Sequence, residues 1–188
     1  MKLDIEDLDR FFDEHFTRTA FRLETLDRYT VDAERENIAR YFAGEPERIR
    51  TPWLDQLAAD EAAGKRWYGV HIVTSPLSDY LRYEFEWGYA CSAKQGQEHF
   101  ILDTAEVDRP DGLVDEDFWL LDDGHVLKMH YDDEGIFVGA EPAPESDLDH
   151  YQRQRDLALE RAVPFVEYWA AHPEFWRENW LVSFSETH

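Results

Sequence analysis

The chain has 188 residues, which is enough for one domain with a single sizeable hydrophobic core. Acidic residues number 42 against 19 lysines and arginines, so the formal net charge is -23 at pH 7. A surface this negative repels phosphate groups, and we therefore expect neither direct nucleic-acid binding nor adsorption to an anionic membrane. Aromatic residues make up 15% of the chain, which excludes a disordered acidic tail.

The single cysteine, Cys91, cannot form a disulfide within the chain, and we expect a free thiol in a cytoplasmic protein. No apolar run approaches the roughly 20 residues of a membrane span. Phosphate-binding loops, dinucleotide fingerprints, zinc-protease motifs and hydrolase nucleophile motifs are all missing from the sequence, so no cofactor and no catalytic residue is predicted. The eight histidines form no tight cluster, so no metal site is predicted either.

The first third of the chain is predicted to be mainly helical. An apolar face recurs at three- and four-residue spacing near the N-terminus, at Ile5, Leu8, Phe12 and Phe16. The stretch from Ala20 to Tyr29 then alternates like a strand, and a second helix is expected from Asp32 to Ala43. A third helix should be capped by Thr51, begin at Pro52 and end at Gly64.

The middle of the chain is predicted to form a sheet. The stretch from Trp67 to Thr74 alternates as a strand, whereas residues 77–89 fit a strand and a helix almost equally well. We favour a helix for 77–89 because Ser78 can cap it and because its length suits a helix. Four further strands follow, in the stretches HFILDTA, DFWLLDD, GHVLKMHYD and GIFVGAE. A closing helix should start with a capping box at 146–149 and break near Pro164.

Acidic residues concentrate between Asp103 and Asp149, where 16 acids face only Arg109 and Lys128. This segment predicts a negative surface that could meet a basic protein partner, with Asp132, Asp133 and Glu134 as its candidate contact residues. The alternative is a solvated face that keeps an aromatic-rich domain soluble, which charge runs usually are.

Two sets of polar side chains share a strand face: Arg22 with Glu24, and Lys128 with His130 and Asp132. Such sets could bind an anion or move protons, although a wet sheet face with surface ion pairs is the commoner arrangement. The C-terminal aromatics are Trp169, Phe175, Trp176 and Trp180. They could form a docking patch, although packing back onto the core is the favoured interpretation.

Several strings in order resemble an actinobacterial family known as domain of unknown function 6879. They include FRLE from Phe21, FAGEP from Phe42, AAGKR from Ala62, SPLSDYLRYE from Ser75, DFWL from Asp117 and YDDEG from Tyr131. The resemblance spans Leu8 to Trp169 and leaves out the end of the chain. Members of the family are often encoded beside helix-turn-helix regulators, so the resemblance implies a cytoplasmic accessory or regulatory role and supplies no catalytic residues.

The predicted order of elements is also distantly similar to one half of a phospholipase-D-like domain. Those enzymes carry a His-x-Lys motif on a strand, and here Asp117 and Trp119 occupy the corresponding places. Without the imidazole and the lysine, neither a covalent phosphoenzyme nor phosphate charge neutralisation is available. If that similarity holds, the active site is degenerate.

We therefore expect one α+β domain over residues 1–169, with a mixed or antiparallel sheet and packed helices, followed by an aromatic extension over 170–188. The favoured function is a non-enzymatic interaction or regulatory partner of another protein, with a helix-turn-helix regulator as the candidate and a homodimer left open. The alternative is a small-ligand-binding protein or an unrecognised enzyme. Its candidate pocket comes from the resemblance strings and comprises Arg22, Glu24, Tyr80, Arg82 and Asp117. Convergence of these residues in one concave pocket would favour the ligand alternative.

Overall fold

A computed structural model describes residues 2–179 of the chain. Its centre is a mixed sheet of seven strands in the order β6-β5-β4-β1-β2-β3-β7. The strands are β1 Thr19–Glu24, β2 Arg66–Val73, β3 Glu98–Asp103, β4 Phe118–Leu121, β5 His125–Tyr131, β6 Phe137–Pro142 and β7 Val163–Pro164. Strands β1, β2 and β3 are parallel, and every other neighbouring pair is antiparallel. The predicted single α+β domain with a mixed sheet and packed helices is confirmed.

Helices fill the connections between the strands. They are α1 Ile5–His15, α2 Arg35–Phe42, α3 Pro52–Ala62, α4 Asp79–Tyr83, α5 Ala90–Ser92, α6 Leu148–Arg161 and α7 Phe165–Ala171. A π-helical segment, Glu84–Tyr89, joins α4 to α5, and short 3-10 turns precede α2 and α6. Within the described residues, no helix is both long enough and apolar enough to cross a lipid bilayer.

The two faces of the sheet differ in chemistry. One face is apolar and packs against α6, through a buried cluster that includes Phe21, Val70, Leu102, Phe118 and Tyr151. The opposite face carries alternate residues of the same strands, because successive side chains of a strand point to opposite sides. This second face is polar at its centre, and α3 and the π-helical segment lie over it. The functional site described below lies on this polar face.

The ambiguous segment 77–89 is helical, as predicted. The Ser78 hydroxyl accepts a hydrogen bond from the Leu81 amide at 3.1 Å and so caps α4. The π-helical turns that follow place the buried ring of Tyr89 over β2. This placement brings its hydroxyl within 2.8 Å of a ring nitrogen of His71.

Two predicted helix caps lack the side-chain hydrogen bond that a cap supplies. Thr51 occupies the predicted N-cap position before Pro52, but its hydroxyl accepts a weak hydrogen bond from Arg48 at 3.4 Å and caps no amide of α3. The expected capping box at 146–149 is also missing, since the Ser146 hydroxyl donates to the Asp147 carboxylate and α6 begins without a side-chain cap. The break near Pro164 does occur, and it is a strand: Val163 and Pro164 pair with β3.

The first strand is shorter than the predicted stretch from Ala20 to Tyr29. It ends at Glu24, because Asp117 accepts hydrogen bonds from both the amide and the hydroxyl of Thr25 at 2.9 and 2.7 Å. The chain then turns away from the sheet, and the Tyr29 ring is buried beside Asp117.

Asp122 joins the start of β1 to the turn between β4 and β5. Its backbone is left-handed, with φ of 50°, and its carboxylate accepts hydrogen bonds from the Thr17 amide and hydroxyl and from the amides of Arg18 and Thr19. Burial alone would raise the pKa of Asp122, but these hydrogen bonds lower it to about 2.

We predict that Asp122→Asn lowers the free energy of unfolding by about 1–2 kcal/mol at pH 7, because the amide replaces a charged acceptor of several bonds. A carboxyl whose pKa is lowered by folding stabilises the fold above its unfolded pKa of about 3.9. The difference between wild type and variant should therefore shrink as the pH falls from about 4 towards 2. Urea unfolding measures it, with Asp123→Asn as the matched control in the same left-handed turn. An equal loss in both variants would contradict this account.

Candidate functional site

The site is built around Arg22, whose side chain is buried in the middle of the sheet on the polar face. Its Nη2 atom donates to Asp117 Oδ2 at 2.8 Å and to the Tyr131 hydroxyl at 2.9 Å. Asp117 is itself buried, and the Tyr29 hydroxyl donates to it at 2.6 Å. The buried charge of Arg22 is therefore neutralised by a carboxylate that neighbouring donors hold in place.

Space next to Arg22 comes from Gly69, which is paired with Arg22 on one side and with His99 on the other. A side chain cannot be accommodated at this position, because a Cβ atom on Gly69 would lie 2.8 Å from the carbonyl oxygen of Arg22. The absent side chain leaves a gap in the polar face between Arg22 and His99.

This gap opens into a cavity of about 350 Å³, which we call the central cavity. Its walls carry three carboxylates, several aromatic rings and the basic residues Arg22 and Arg48. The lining residues include Arg22, Glu24, Glu34, Arg48, Trp53, Gly69, Glu84, Tyr89, Ser92, His99 and Trp119. Trp53 is 40% exposed and lies at the side of the cavity.

Each of the three carboxylates of the central cavity contacts a tyrosine hydroxyl. The Tyr80 hydroxyl lies 3.2 Å from Glu34 Oε2 and 3.3 Å from Glu84 Oε1, and the Tyr89 hydroxyl lies 2.8 Å from Glu24 Oε2. Burial raises the pKa of Glu84 well above its usual range, and the negative charges of Glu24 and Glu34 add to the shift. Burial also raises the pKa of Glu34. The site therefore favours retention of protons on these carboxyl groups.

Two buried atoms of the central cavity make no hydrogen bond to any residue that the structure describes: Arg22 Nη1 and Glu84 Oε2. His71 Nδ1 lies 3.6 Å from Glu84 Oε2, which is too long for a hydrogen bond. The guanidinium carbon of Arg22 lies 5.2 Å from the centre of the Trp119 ring. This contact packs the guanidinium against the ring but gives its N–H groups no hydrogen-bond acceptor. Buried donors and acceptors normally have partners, so these two atoms mark where a ligand would be held.

The structure brings together three of the five residues of the predicted pocket. Glu24 Oε1 lies 3.8 Å from Arg22 Nε, and Asp117 is bonded to the same guanidinium. Tyr80 stands behind the wall, where it contacts Glu34 and Glu84 and lines a neighbouring groove. Arg82 lies elsewhere: its guanidinium stacks 5.8 Å from the centre of the Phe175 ring, and it does not line the central cavity.

Arg22 and Glu24 do not form the wet surface pair that the sequence suggested as the commoner arrangement. Arg22 is only 6% exposed, because helices cover this face of the sheet. The alternation of polar residues in the sequence does not distinguish a covered polar face from a solvated one. Sequence reasoning also missed His71, Tyr89 and Glu84. A signal was available in Gly69 and His71, which alternate on β2 in register with Arg22 and Glu24.

The acidic turn at Asp132, Asp133 and Glu134 lies between β5 and β6 and does not line the central cavity, and all three residues are exposed. Asp132 also has a structural role, since its Oδ1 atom accepts from the amides of Glu134 and Ile136 at 2.9 Å each. Any test of this turn as a contact surface must therefore leave Asp132 unchanged.

The described part of the C-terminal aromatic segment packs onto the domain. Phe175 is buried in the cluster with Leu81 and Phe85, and the Trp176 indole donates to the Trp169 carbonyl at 2.8 Å. Trp180 lies outside the described residues.

Cys91 is half-buried and forms no disulfide with the described chain. Among residues 2–179, no group of three or more histidine, cysteine or acidic side chains is arranged to hold a metal ion.

Comparison with known proteins gives one match. The family model "Domain of unknown function (DUF6879)" matches residues 6–170. The chain belongs to this family. No curated protein and no solved structure matches it.

The family match spans every residue that lines the central cavity, so the site lies within the family domain. The family description names no activity, and the role of the chain must therefore be argued from the site itself. The actinobacterial origin and the phospholipase-D-like similarity stay predictions. Asp117 stands where the His-x-Lys motif would begin, and its carboxylate accepts hydrogen bonds from Arg22, Thr25 and Tyr29.

We predict that Asp117→Asn lowers the free energy of unfolding by about 3–5 kcal/mol, because it leaves the charge of Arg22 buried without its partner. The double variant Arg22→Met/Asp117→Asn should be more stable than Asp117→Asn alone, since it removes the uncompensated charge. Urea unfolding of the wild type, Arg22→Met, Asp117→Asn and the double variant measures this coupling. Asp115→Asn is the control, because its ion pair with Arg109 is exposed and contributes about 0–1 kcal/mol. Additive effects of the two substitutions would contradict the role given to this ion pair.

Proposed function

We propose that this chain binds a small, neutral, polar ring compound in the central cavity. The observation that carries the proposal is at Arg22, a residue of the cavity lining whose Nη1 atom is a buried donor without a partner in the described chain. A buried donor without an acceptor costs about 1–3 kcal/mol, and a bound acceptor atom removes that cost. The unpartnered Glu84 Oε2 adds a position for a donor of the same compound.

The charges around the cavity favour a neutral ligand. An anion at Arg22 would meet Asp117, bonded to the same guanidinium at 2.8 Å, and Glu24 at 3.8 Å. An organic cation at the carboxylates would meet Arg22 on the cavity floor and Arg48 on its wall. A neutral compound with adjacent hydrogen-bond donors and acceptors interacts with both the carboxylates and the guanidinium groups without burying a net charge.

The aromatic residues favour a ring. Trp53 and Trp119 line the cavity, and Tyr89 and His99 lie stacked with ring centres 3.7 Å apart. Sugar rings and nucleobases present both an apolar face for such side chains and hydrogen-bonding groups at their edges. Ligand sites of this kind are mostly apolar with a few fixed polar groups.

The test is a thermal-shift and calorimetric comparison of uridine and glucose with uridine 5′-phosphate and glucose 6-phosphate. At 100 times its dissociation constant, a neutral ligand should stabilise the fold by about 2.7 kcal/mol, which raises Tm by several degrees. The phosphorylated compounds should bind at least about tenfold more weakly, because their charge meets the carboxylates.

Arg22→Lys should lower the affinity at least about tenfold, since lysine keeps the charge beside Asp117 but lacks the second guanidinium nitrogen. Arg10→Lys, on the exposed face of α1, is the matched control and should bind as wild type does. Stronger binding of the phosphorylated compounds, or equal affinity in Arg22→Lys, would contradict the proposal.

We also propose, as a second function, that the exposed acidic turn contacts a basic protein partner such as a helix-turn-helix regulator. The supporting observation is the position of Asp133 and Glu134 at an exposed turn between β5 and β6. Cytoplasmic localisation and a homodimer also remain proposals. Arg22, Glu24 and Asp117 converge at one site, and this convergence supports the ligand-binding proposal better than the partner-binding proposal.

For the acidic turn, we predict that Asp133→Lys/Glu134→Lys slows association with a partner captured from the native cell at least about threefold at low salt. Electrostatic attraction acts mainly on the association rate and is screened as salt rises. The control Asp13→Lys/Glu14→Lys reverses two exposed charges on α1 and should leave the rate unchanged. A surface-based binding assay measures both. If the turn variant associates at the wild-type rate, the acidic turn is not the contact surface.

A further inference from the structure

His71 is fully buried on β2, and both of its ring nitrogens are hydrogen-bonded. Nε2 lies 2.8 Å from the carbonyl oxygen of Leu26, and Nδ1 lies 2.8 Å from the Tyr89 hydroxyl. A carbonyl oxygen only accepts hydrogen bonds, so Nε2 carries a proton. The protonation state of His71 is therefore decided at Nδ1.

The Tyr89 hydroxyl stands between His71 and Glu24, at 2.8 Å from Nδ1 and 2.8 Å from Glu24 Oε2. Two hydrogen bonds need two protons, and the tyrosine supplies one of them. The second proton must lie either on His71 Nδ1 or on Glu24. The three side chains thus hold one shared proton, and the charges of His71 and Glu24 sum to zero with the proton at either end.

We propose that His71, Tyr89 and Glu24 form a proton relay, and that Glu24 is the general acid–base of the central cavity. Glu24 lines the cavity, whereas His71 lies behind it and acts through Tyr89 as a positioning and proton-storing residue. The relay itself follows from the hydrogen bonds. Its use on a substrate rests on the proposed binding of a neutral ring compound, whose O–H or N–H group would exchange the proton.

A proton transfer from this relay to a ligand accounts for every proton. When the shared proton lies on His71, Tyr89 can pass its hydroxyl proton to Glu24 and take the Nδ1 proton of His71, and Glu24 then gives its proton to the ligand. The net change is the loss of one proton from the relay and its gain by the ligand, and the reverse sequence returns it. A proton-transfer isomerisation, in which one proton leaves the ligand and another atom of it receives a proton, needs no further reactant.

Other ionisable groups surround the relay on every side. Near Glu24 are Arg22 on the same strand, with Tyr29 and Tyr131 beyond it; near His71 are Glu84 at 3.6 Å and His99. Burial lowers the pKa of His99 to about 3, so this imidazole stays neutral. Burial also raises the pKa of Tyr89 well above its usual range, so Tyr89 transfers a proton only by exchanging it.

The experiment is a pH titration of the whole protein by NMR, following the imidazole nitrogens of His71 and the side-chain carboxyl carbon of Glu24. If one proton exchanges between the two ends, each resonance should show both titration steps of the pair. In Tyr89→Phe, the second step should shrink at both nuclei, because only the direct separation of 4.0 Å between His71 Nδ1 and Glu24 Oε2 remains. Tyr80→Phe, which removes the hydroxyl between Glu34 and Glu84, should keep both steps at both nuclei.

A single step at each nucleus in the wild type would overturn the relay. Tyr89→Phe keeps the ring that stacks on His99 and Phe85. If it nevertheless fails to fold, Glu24→Gln provides the same test, because His71 should then lose the step that it shares with Glu24. The two proposals fail separately: ligand binding with single-step titrations removes the relay alone, whereas two-step titrations without ligand binding remove the proposed function alone.

Discussion

A guanidinium group buried in the middle of the sheet is the constraint on which the rest of the site depends. Arg22 lies on a central strand, where an unpaired charge would be prohibitively costly, so Asp117 must stand beside it. Asp117 in turn binds Thr25 and Tyr29, and these bonds end β1 and turn the chain away from the sheet. One ion pair thus fixes both the electrostatics of the polar face and the path of the chain around it.

The central cavity follows from that constraint and from Gly69. Because no side chain stands between Arg22 and His99, a cavity opens beside Arg22, and one nitrogen of its guanidinium has no partner in the described chain. The surrounding carboxylates carry like charges in a buried setting, which favours shared protons through the hydroxyls of Tyr80 and Tyr89. The proposed ligand binding and the proposed proton exchange therefore rest on the same arrangement.

Local patterns in the sequence predicted the α+β class, the helix over 77–89 and the break near Pro164, because caps, alternation and proline act over a few residues. These patterns do not show which face of the sheet the helices cover. They therefore favoured a surface pair of Arg22 and Glu24, whereas helices cover that face in the structure. The caps at Thr51 and Ser146 failed because other side chains compete for those hydroxyls. His71 shares the alternation of β2 with Gly69, but its contact with Tyr89 was missed because a strand and a π-helical turn in contact leave no spacing signal.

The most direct test of the central claim is a crystal structure of the protein with the neutral compound that gives the largest thermal shift. We predict an acceptor atom of that compound about 2.7–3.2 Å from Arg22 Nη1, with its ring beside Trp53 or Trp119. A compound bound elsewhere, or a protein group bonded to Arg22 Nη1 with the cavity closed, would contradict the account.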